Sequence, residues 1–520
     1  MIRLRLAASL AACFALAAPA AAQASFTAAP SPATATQAGS HQDFAIHADF
    51  AHDPTGGPLT LHLPPGLVGN PRGAGIGFCS EAAFKSSTCP PNARVGTAKA
   101  NGGAASGGVY NLEPQGNEPA RLGIEAVPLG LPLLGTAYNE ASVSARPDGG
   151  LDSTIASLST TLGQAITSLD LTLDKSFMTL PTSCGAATTV IEAAHNDPQQ
   201  ASFTPTGCAD VPFAPTLSAT VDRRGPKGAR GNPALHTSIT LPAGQASIRT
   251  ATVALPSRLT LDLPAIKAVC MSDQAAADAC PPASTVGSVS AITPLLATGL
   301  GGPVYMVQIP GSLFPGLRLT LNGPTPLRLT GTLGLTKGIA ATFDGLPDVP
   351  LSSFDLTFVG GGPLKLFGSA CGKALKFTAQ LTGHNGATVT RTVTATVPNC
   401  PATAAVALSK GTQPRLRLKL DHGRDAKPLS RAVVTLPKGL TARKGGGRAT
   451  LVGDGGKRLR ARAVKIARHR LTLTVPAVSH ATLTLGRGIL QGRPHGRFTL
   501  RLVRTDEKAF TVRPKASKLR

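Results

Sequence analysis

The chain carries one cysteine framework twice. Cys79 and Cys89 are followed by Pro90-Pro91 and Val95-Gly96-Thr97; Cys270 and Cys280, at the same spacing, are followed by Pro281-Pro282 and Val286-Gly287-Ser288. A wider pair closes each unit, Cys184 with Cys208 and Cys371 with Cys400. Such a framework belongs to an oxidising compartment, and its single repetition over 520 residues means tandem domains rather than short solenoid units. The identical spacing of the short pairs favours local pairing over partners elsewhere, and the expected set is Cys79–Cys89, Cys184–Cys208, Cys270–Cys280 and Cys371–Cys400. Continuous helix would hold Cys79 and Cys89 about 15 Å apart, whereas a disulfide needs Cα atoms within about 7 Å. The segments beginning Ser80-Glu81 and Ser272-Asp273, each with a serine suited to capping, are therefore expected to make only one or two helical turns.

Strand patterns dominate the rest. Phe44, Ile46, Ala48 and Phe50 alternate with polar neighbours, as do Leu59, Leu61 and Leu63 before the Pro64-Pro65-Gly66 turn. In the second unit Leu235–Leu241 and Ala251–Leu255 stand in the same order, and matching the histidines aligns His236 with His41, Ser238 with Asp43 and Thr240 with Ala45. The reading is all-β: tandem antiparallel β-sandwich domains with short helices between paired cysteines, plus a basic C-terminal β domain. The expected division is a signal peptide at 1–24 and a flexible lead at 25–40. A first β domain spans 41–219, a linker 220–233, a second β domain 234–400 and the basic domain 401–520.

Arg3 and Arg5, the apolar run from Leu6 to Ala18 and Ala22-Gln23-Ala24 have the form of a secretory signal, which leaves eight of the nine cysteines in the mature chain. Leu10-Ala11-Ala12-Cys13 offers the alternative of lipidation at Cys13. Localisation is read as secreted or on the exterior of the cell envelope, with no transmembrane segment.

Charge marks the last boundary. Residues 401–520 hold 28 of the 51 Lys+Arg and 5 of the 27 Asp+Glu, a balance of +23; the remaining 23 and 22 balance to +1. Within that segment Arg415, Arg417 and Lys419 alternate with leucines, and Arg458, Arg460 and Arg462 alternate with Leu459 and Ala461. Both runs read as strands whose cationic faces suit a polyanion. The partners this implies are an anionic envelope polymer or an anionic lipid surface; nucleic acid is not expected, for want of stacking aromatics and because of the signal sequence.

Ser40-His41-Gln42-Asp43-Phe44, Leu63-Pro64-Pro65-Gly66-Leu67, Cys89-Pro90-Pro91, Pro303-Val304-Tyr305 and the run from Leu346 to Phe354 together resemble an uncharacterised family of secreted, multi-repeat, cysteine-paired β-domain proteins from GC-rich actinobacteria. The resemblance covers most of residues 40–400. It implies surface location and tandem domains, and no activity.

Chemistry is sparse. His41, Asp43, His47 and Asp49 could share a strand face and hold a divalent ion, although a solvated strand face is much the stronger reading of them. There is no G-x-S-x-G, H-E-x-x-H or phosphate-binding glycine loop. With no Trp and only Tyr110, Tyr138 and Tyr305, aromatic platforms for sugars are scarce. The reading is a non-enzymatic structural or adhesion protein without a cofactor, whose basic domain binds anionic polymer or lipid headgroups. The alternative is an envelope hydrolase or metal-dependent enzyme with a site in the first domain.

Overall fold

The computed structural model describes residues 24–222, 232–324, 326–334, 338–367, 371, 374–398, 400–423, 426–460 and 464–519. The signal sequence and Cys13 lie outside them, as does most of the 220–233 segment.

The first domain has thirteen strands: β1 (Ser25–Ser31), β2 (Asp43–Asp49), β3 (Leu59–Leu63), β4 (Val68–Gly69), β5 (Arg94–Ala100), β6 (Ala105–Leu112), β7 (Ala120–Pro128), β8 (Ala137–Ala145), β9 (Leu151–Ile155), β10 (Ser168–Leu173), β11 (Met178–Thr179), β12 (Ala187–Ala193) and β13 (Gln199–Phe203). Eleven of them form one antiparallel sheet in the order β1-β2-β10-β5-β6-β7-β8-β9-β3-β12-β13, and β4 pairs with β11 separately. The sheet curls until its two ends meet. The Thr206 amide donates to the Thr36 carbonyl and the Ala38 amide to the Thr206 carbonyl, a parallel seam that closes a barrel-like sandwich.

The second domain repeats this strand for strand. Its elements are β14 (Thr216–Asp222), β15 (Ala234–Thr240), β16 (Ile248–Ala254), β17 (Leu259–Leu261), β18 (Thr285–Ile292), β19 (Leu300–Val307), β20 (Gly316–Leu321), β21 (Leu327–Gly334), β22 (Ala340–Phe343), β23 (Ser353–Phe358), β24 (Leu364–Leu366), β25 (Lys376–Gly383) and β26 (Thr388–Thr394). The order β14-β15-β23-β18-β19-β20-β21-β22-β16-β25-β26 is that of the first sheet, and the same parallel seam joins Ala219–Val221 to Thr396.

Two boundaries and one alignment move. Residues 25–40 are not a flexible lead, because Ser25–Ser31 is the edge strand β1, paired to β2 from Ser25–Asp49 to Ser31–Asp43. Its small Ala28 and its Pro30 point inward, and an edge strand tolerates proline because its outer amides need no ladder partner. Thr220–Asp222 belong to β14 rather than to a linker, so the second domain starts at Thr216. Finally, ladder register sets Asp43 against Ala234 and Ala45 against His236, so His236 is not the counterpart of His41.

The clip helices are five residues each, α1 (Glu81–Lys85) and α2 (Ser272–Ala276). Ser80 caps α1 by accepting from the Ala83 amide, whereas Met271 occupies the cap position of α2 and Ser272 is already helical. Phe84 of α1 is buried on the outside of the sheet between Tyr110 and Tyr138. Gly123 makes room for the ring, since a Cβ there would come within 2.7 Å of it.

The two barrels meet end to end. The loop between β22 and β23 reaches the first barrel, where Asp348, only 3% exposed, accepts from the Thr182 amide (2.9 Å) and hydroxyl (2.6 Å). Gly66, at φ +86°, lies so close that a Cβ would fall 2.7 Å from the Asp348 carboxylate; the Pro64-Pro65-Gly66 turn therefore needs its glycine.

The C-terminal domain is a two-sheet sandwich. One sheet orders Ala449–Val452, His480–Leu485, Leu416–Asp421, Thr403–Leu408 and Ser517–Lys518; the other orders Val464–Ala467, Arg470–Val478, Leu429–Thr435, Thr499–Arg504 and Ala509–Val512. Alternate leucines from both sheets, such as Leu416, Leu418, Leu473 and Leu500, interleave in one core. Arg504 is buried at its base. It donates to the His422 and Cys400 carbonyls and lies over the Phe510 ring at 4.2 Å, which ties this domain to the end of the second barrel.

The interiors of the two barrels differ. The core of the first is one contiguous cluster. In the second the buried side chains fall into two clusters flanking an apolar cavity of about 430 Å³. Corresponding positions explain part of this. Phe44, Ile46 and Phe50 become Leu235, Thr237 and Leu241; Leu59 and Leu61 become Ala251 and Val253; Phe177-Met178 become Pro363-Leu364. Aromatic bulk returns at Phe343, Phe354 and Phe358, which line the cavity wall.

Candidate functional site

Strand alternation places every second residue of Leu416–Asp421 in the core, so Arg417 and Lys419 stand out on the solvent face, with Arg415 exposed just before them. Their cross-strand neighbours on that face are Ala405, Ala407, Thr482 and Thr484, small and uncharged. Arg458 and Arg460 are exposed but do not extend a strand. The Leu459 amide donates to the Leu451 carbonyl, folding this run back through the Asp454–Gly456 turn, and the next strand starts at Val464. The expected second ladder is thus a short irregular hairpin, and Arg462 lies outside the described residues.

The opposite sheet supplies cations that alternation along one strand could not reveal. Lys465, Arg470, Arg431 and Arg501 are exposed, one on each of four neighbouring strands. They are scattered in sequence and meet only through the ladder, where Lys465 opposes Thr472, Thr472 opposes Val433 and Val433 opposes Arg501. The described carboxylates of this domain sit at strand ends and turns. Among the described residues its ion pairs join Asp421 to His422 and His480, and Lys508 to Asp506. Asp454 accepts from the Ser479 and His480 amides, which hold its carboxyl below the usual range. Asp421 shares the solvent face of Arg417 and Lys419 at the strand's end, where it pairs with His480, and no described carboxylate lies among Lys465, Arg470, Arg431 and Arg501.

The four residues considered for a metal do not converge. His41 Nδ1 faces the Met178 carbonyl and the Thr179 hydroxyl, and Asp43 accepts from the Lys175 amide. His47 lies between Asp170 (2.8 Å) and Asp49 (3.2 Å); the hydrogen bond to Asp170 holds its imidazole above the ordinary value despite partial burial. Among the described residues no group of three or more His, Cys, Asp or Glu is placed to hold a metal ion. No described helix is long and apolar enough to cross a membrane.

The cysteines meet in four local pairs. Cα–Cα distances are 5.2 Å for Cys79–Cys89, 5.9 Å for Cys184–Cys208, 5.2 Å for Cys270–Cys280 and 5.5 Å for Cys371–Cys400. Tyr110 and Tyr305 pack beneath the two short clips rather than standing free as platforms.

No protein-family model matches the chain, and no curated protein matches it. Among solved structures, the C-terminal domain of the AgI/II polypeptide BspA of Streptococcus agalactiae is similar at 11% identity over 58% of this chain and 98% of that one, with TM-score 0.25. BcpA, the major pilin subunit of Bacillus cereus, is similar at 10% identity over 73% and 93%, with TM-score 0.17. The Enterococcus faecalis MSCRAMM ACE follows at 11% over 60% and 96%, with TM-score 0.17. Likenesses this slight carry no argument about fold or function.

Proposed function

We propose that the protein is a non-enzymatic, extracytoplasmic structural or adhesion protein whose C-terminal sandwich binds an anionic envelope polymer. One observation carries the reading: among the described residues the outer faces of that sandwich present Arg417 and Lys419 on one side and Lys465, Arg470, Arg431 and Arg501 on the other, and Asp421, the carboxylate at the end of the Arg417–Lys419 row, is paired with His480. The four disulfides suit an oxidising location. A planar lipid surface meets one face at a time, whereas a flexible polymer can follow both, and this favours the polymer over headgroups.

The test is retention of the full chain on immobilised polyphosphate across a salt series, with anionic vesicles as a second arm. Arg417→Gln with Lys419→Gln should weaken retention, Arg431→Gln with Lys465→Gln and Arg501→Gln should weaken it again, and salt above about 0.1 M should abolish what remains. Unchanged retention in the five-site variant at low salt would defeat the reading. Stronger binding to vesicles than to polymer would move it to lipid.

A further inference from the structure

The hollow of the second barrel plays no part in polymer binding. Its lining spans the barrel from end to end. Leu255 and Leu261 lie where β17 and β24 cross one end, Leu295 and Pro326 lie at the other, and Pro119 and Pro147 of the first barrel roof that second end. Leu327 and Leu333 of β21 both line it, six residues apart. At about 3.3 Å per residue they stand about 20 Å apart along the strand. Its volume is about 430 Å³. A long apolar space of this volume suits an extended hydrocarbon chain.

The walls offer such a ligand nothing polar to satisfy. Among the described residues, the buried side-chain atoms lacking a partner are on His62, Asn111 and Thr189, none of which lines this space. Thr237 donates to the Leu356 carbonyl, Arg328 turns out to Asp278, and Arg146 is matched by Asp148 and Asp152. A cavity of this kind does not hold water, and its volume falls in the range of small-molecule sites, about 300–1,000 Å³. Arg146 and Thr293, the polar residues at the roofed end, lie at the junction with the first barrel; the opposite end is closed by leucines and Pro363.

We propose that the second barrel binds one linear acyl chain lengthwise, with its polar end at the junction between the barrels. Because no unpaired charge faces the cavity, the chain and not the headgroup is what is recognised.

The experiment uses the full chain, delipidated on hydrophobic resin, and cis-parinaric acid, a linear fatty acid whose fluorescence rises on leaving water. One equivalent should bind saturably and raise the melting temperature. Monoolein should displace it, which separates a chain-reading site from one that needs a carboxylate; oleate displacing where monoolein does not would overturn the headgroup-blind assignment. Thr237→Ile with Ala251→Leu and Val253→Leu installs the side chains of the first barrel and should weaken binding at least tenfold. The five-site cation variant should bind the probe as the parent does, so this proposal and the polymer reading fail independently. No saturable binding by the parent, or equal binding by a triple variant that melts like the parent, would sink the proposal. Should the triple variant melt lower, the parent decides: a melting temperature that does not rise with saturating probe also refutes it.

Discussion

The two barrels share thirteen strands, one strand order and one seam, yet the first encloses a space of only about 70 Å³ and the second one of about 430 Å³. What they keep lies on the walls. The Thr60–Thr154 hydroxyl pair (3.1 Å) recurs as Thr252–Thr342 (3.0 Å), and the clips hold the same 5.2 Å. At the edge, Ser25 bonded to Asp49 becomes Thr216 bonded to Thr240. Register and cross-strand pairs thus define this topology, while interior volume is free to change. That freedom is costly if unused. At about 24 cal/mol per Å³, an empty space of about 430 Å³ corresponds to about 10 kcal/mol, comparable with the stability of a whole domain.

The sharpest test of the comparison is a matched truncation. Phe44, fully buried and edge-on to Phe203 at 5.8 Å, should lose about 3–5 kcal/mol on Phe44→Ala. Its counterpart Leu235 borders the cavity and should lose nearer 2 kcal/mol on Leu235→Ala. Denaturant unfolding that resolves the two barrels would show it, and equal losses would mean the second barrel is packed as tightly as the first. Next come the clips. Each closes a loop of sequence separation 10, so Cys79→Ser with Cys89→Ser and Cys270→Ser with Cys280→Ser should each cost about 3 kcal/mol in their own barrel. Non-reducing peptide mapping checks the connectivity, and a Cys79 peptide linked to Cys184 or Cys208 would refute local pairing.

A smaller effect is expected at the junction. Asp348→Ala leaves the part-buried Thr182 donors without their acceptor and should cost about 1 kcal/mol, read as loss of coupling between the two unfolding transitions. The smallest concerns pH. His47 has its folded pKa raised, so its contribution is complete below the unfolded value of 6.5 and is lost as pH rises through the folded value. The pair is half exposed, so the first barrel should lose less than about 1 kcal/mol across that window. His47→Gln should flatten the dependence; an unchanged pH profile would show that the Asp170 contact contributes nothing.

Much of the wall was legible in the sequence, and little of the interior. Alternation at Phe44–Phe50 and Leu59–Leu63 marks strands because one face is buried. The same alternation misaligned the repeats. Matching His236 to His41 differs from the structural register by four residues, and an even slip keeps every inward residue inward, so pattern alone cannot detect it. β1 escaped notice because Ala28, Ala29 and Pro30 carry weak strand preference and are held by β2. The cations at Lys465, Arg470, Arg431 and Arg501 meet through ladders, which sequence spacing does not encode, whereas Arg417 and Lys419 share one strand and were visible. The cavity was out of reach because no single position creates it.

The seam also governs how the chain assembles in time. Thr36 meets Thr206 across 170 residues and Thr220 meets Thr396 across 176, while β5 to β9 and β18 to β22 pair with immediate neighbours. Loop-closure entropy favours those meanders first and leaves the opening strands of each barrel waiting for the last. Two identical strand orders then wait side by side on one chain, the setting in which a strand inserts into the wrong repeat. Unlike interiors oppose that error. β2 brings Phe44 and Ile46 where β15 brings Leu235 and Thr237, so an exchanged strand overfills one barrel or empties the other. The divergence inside the barrels is a means by which this chain keeps its two halves apart while it folds.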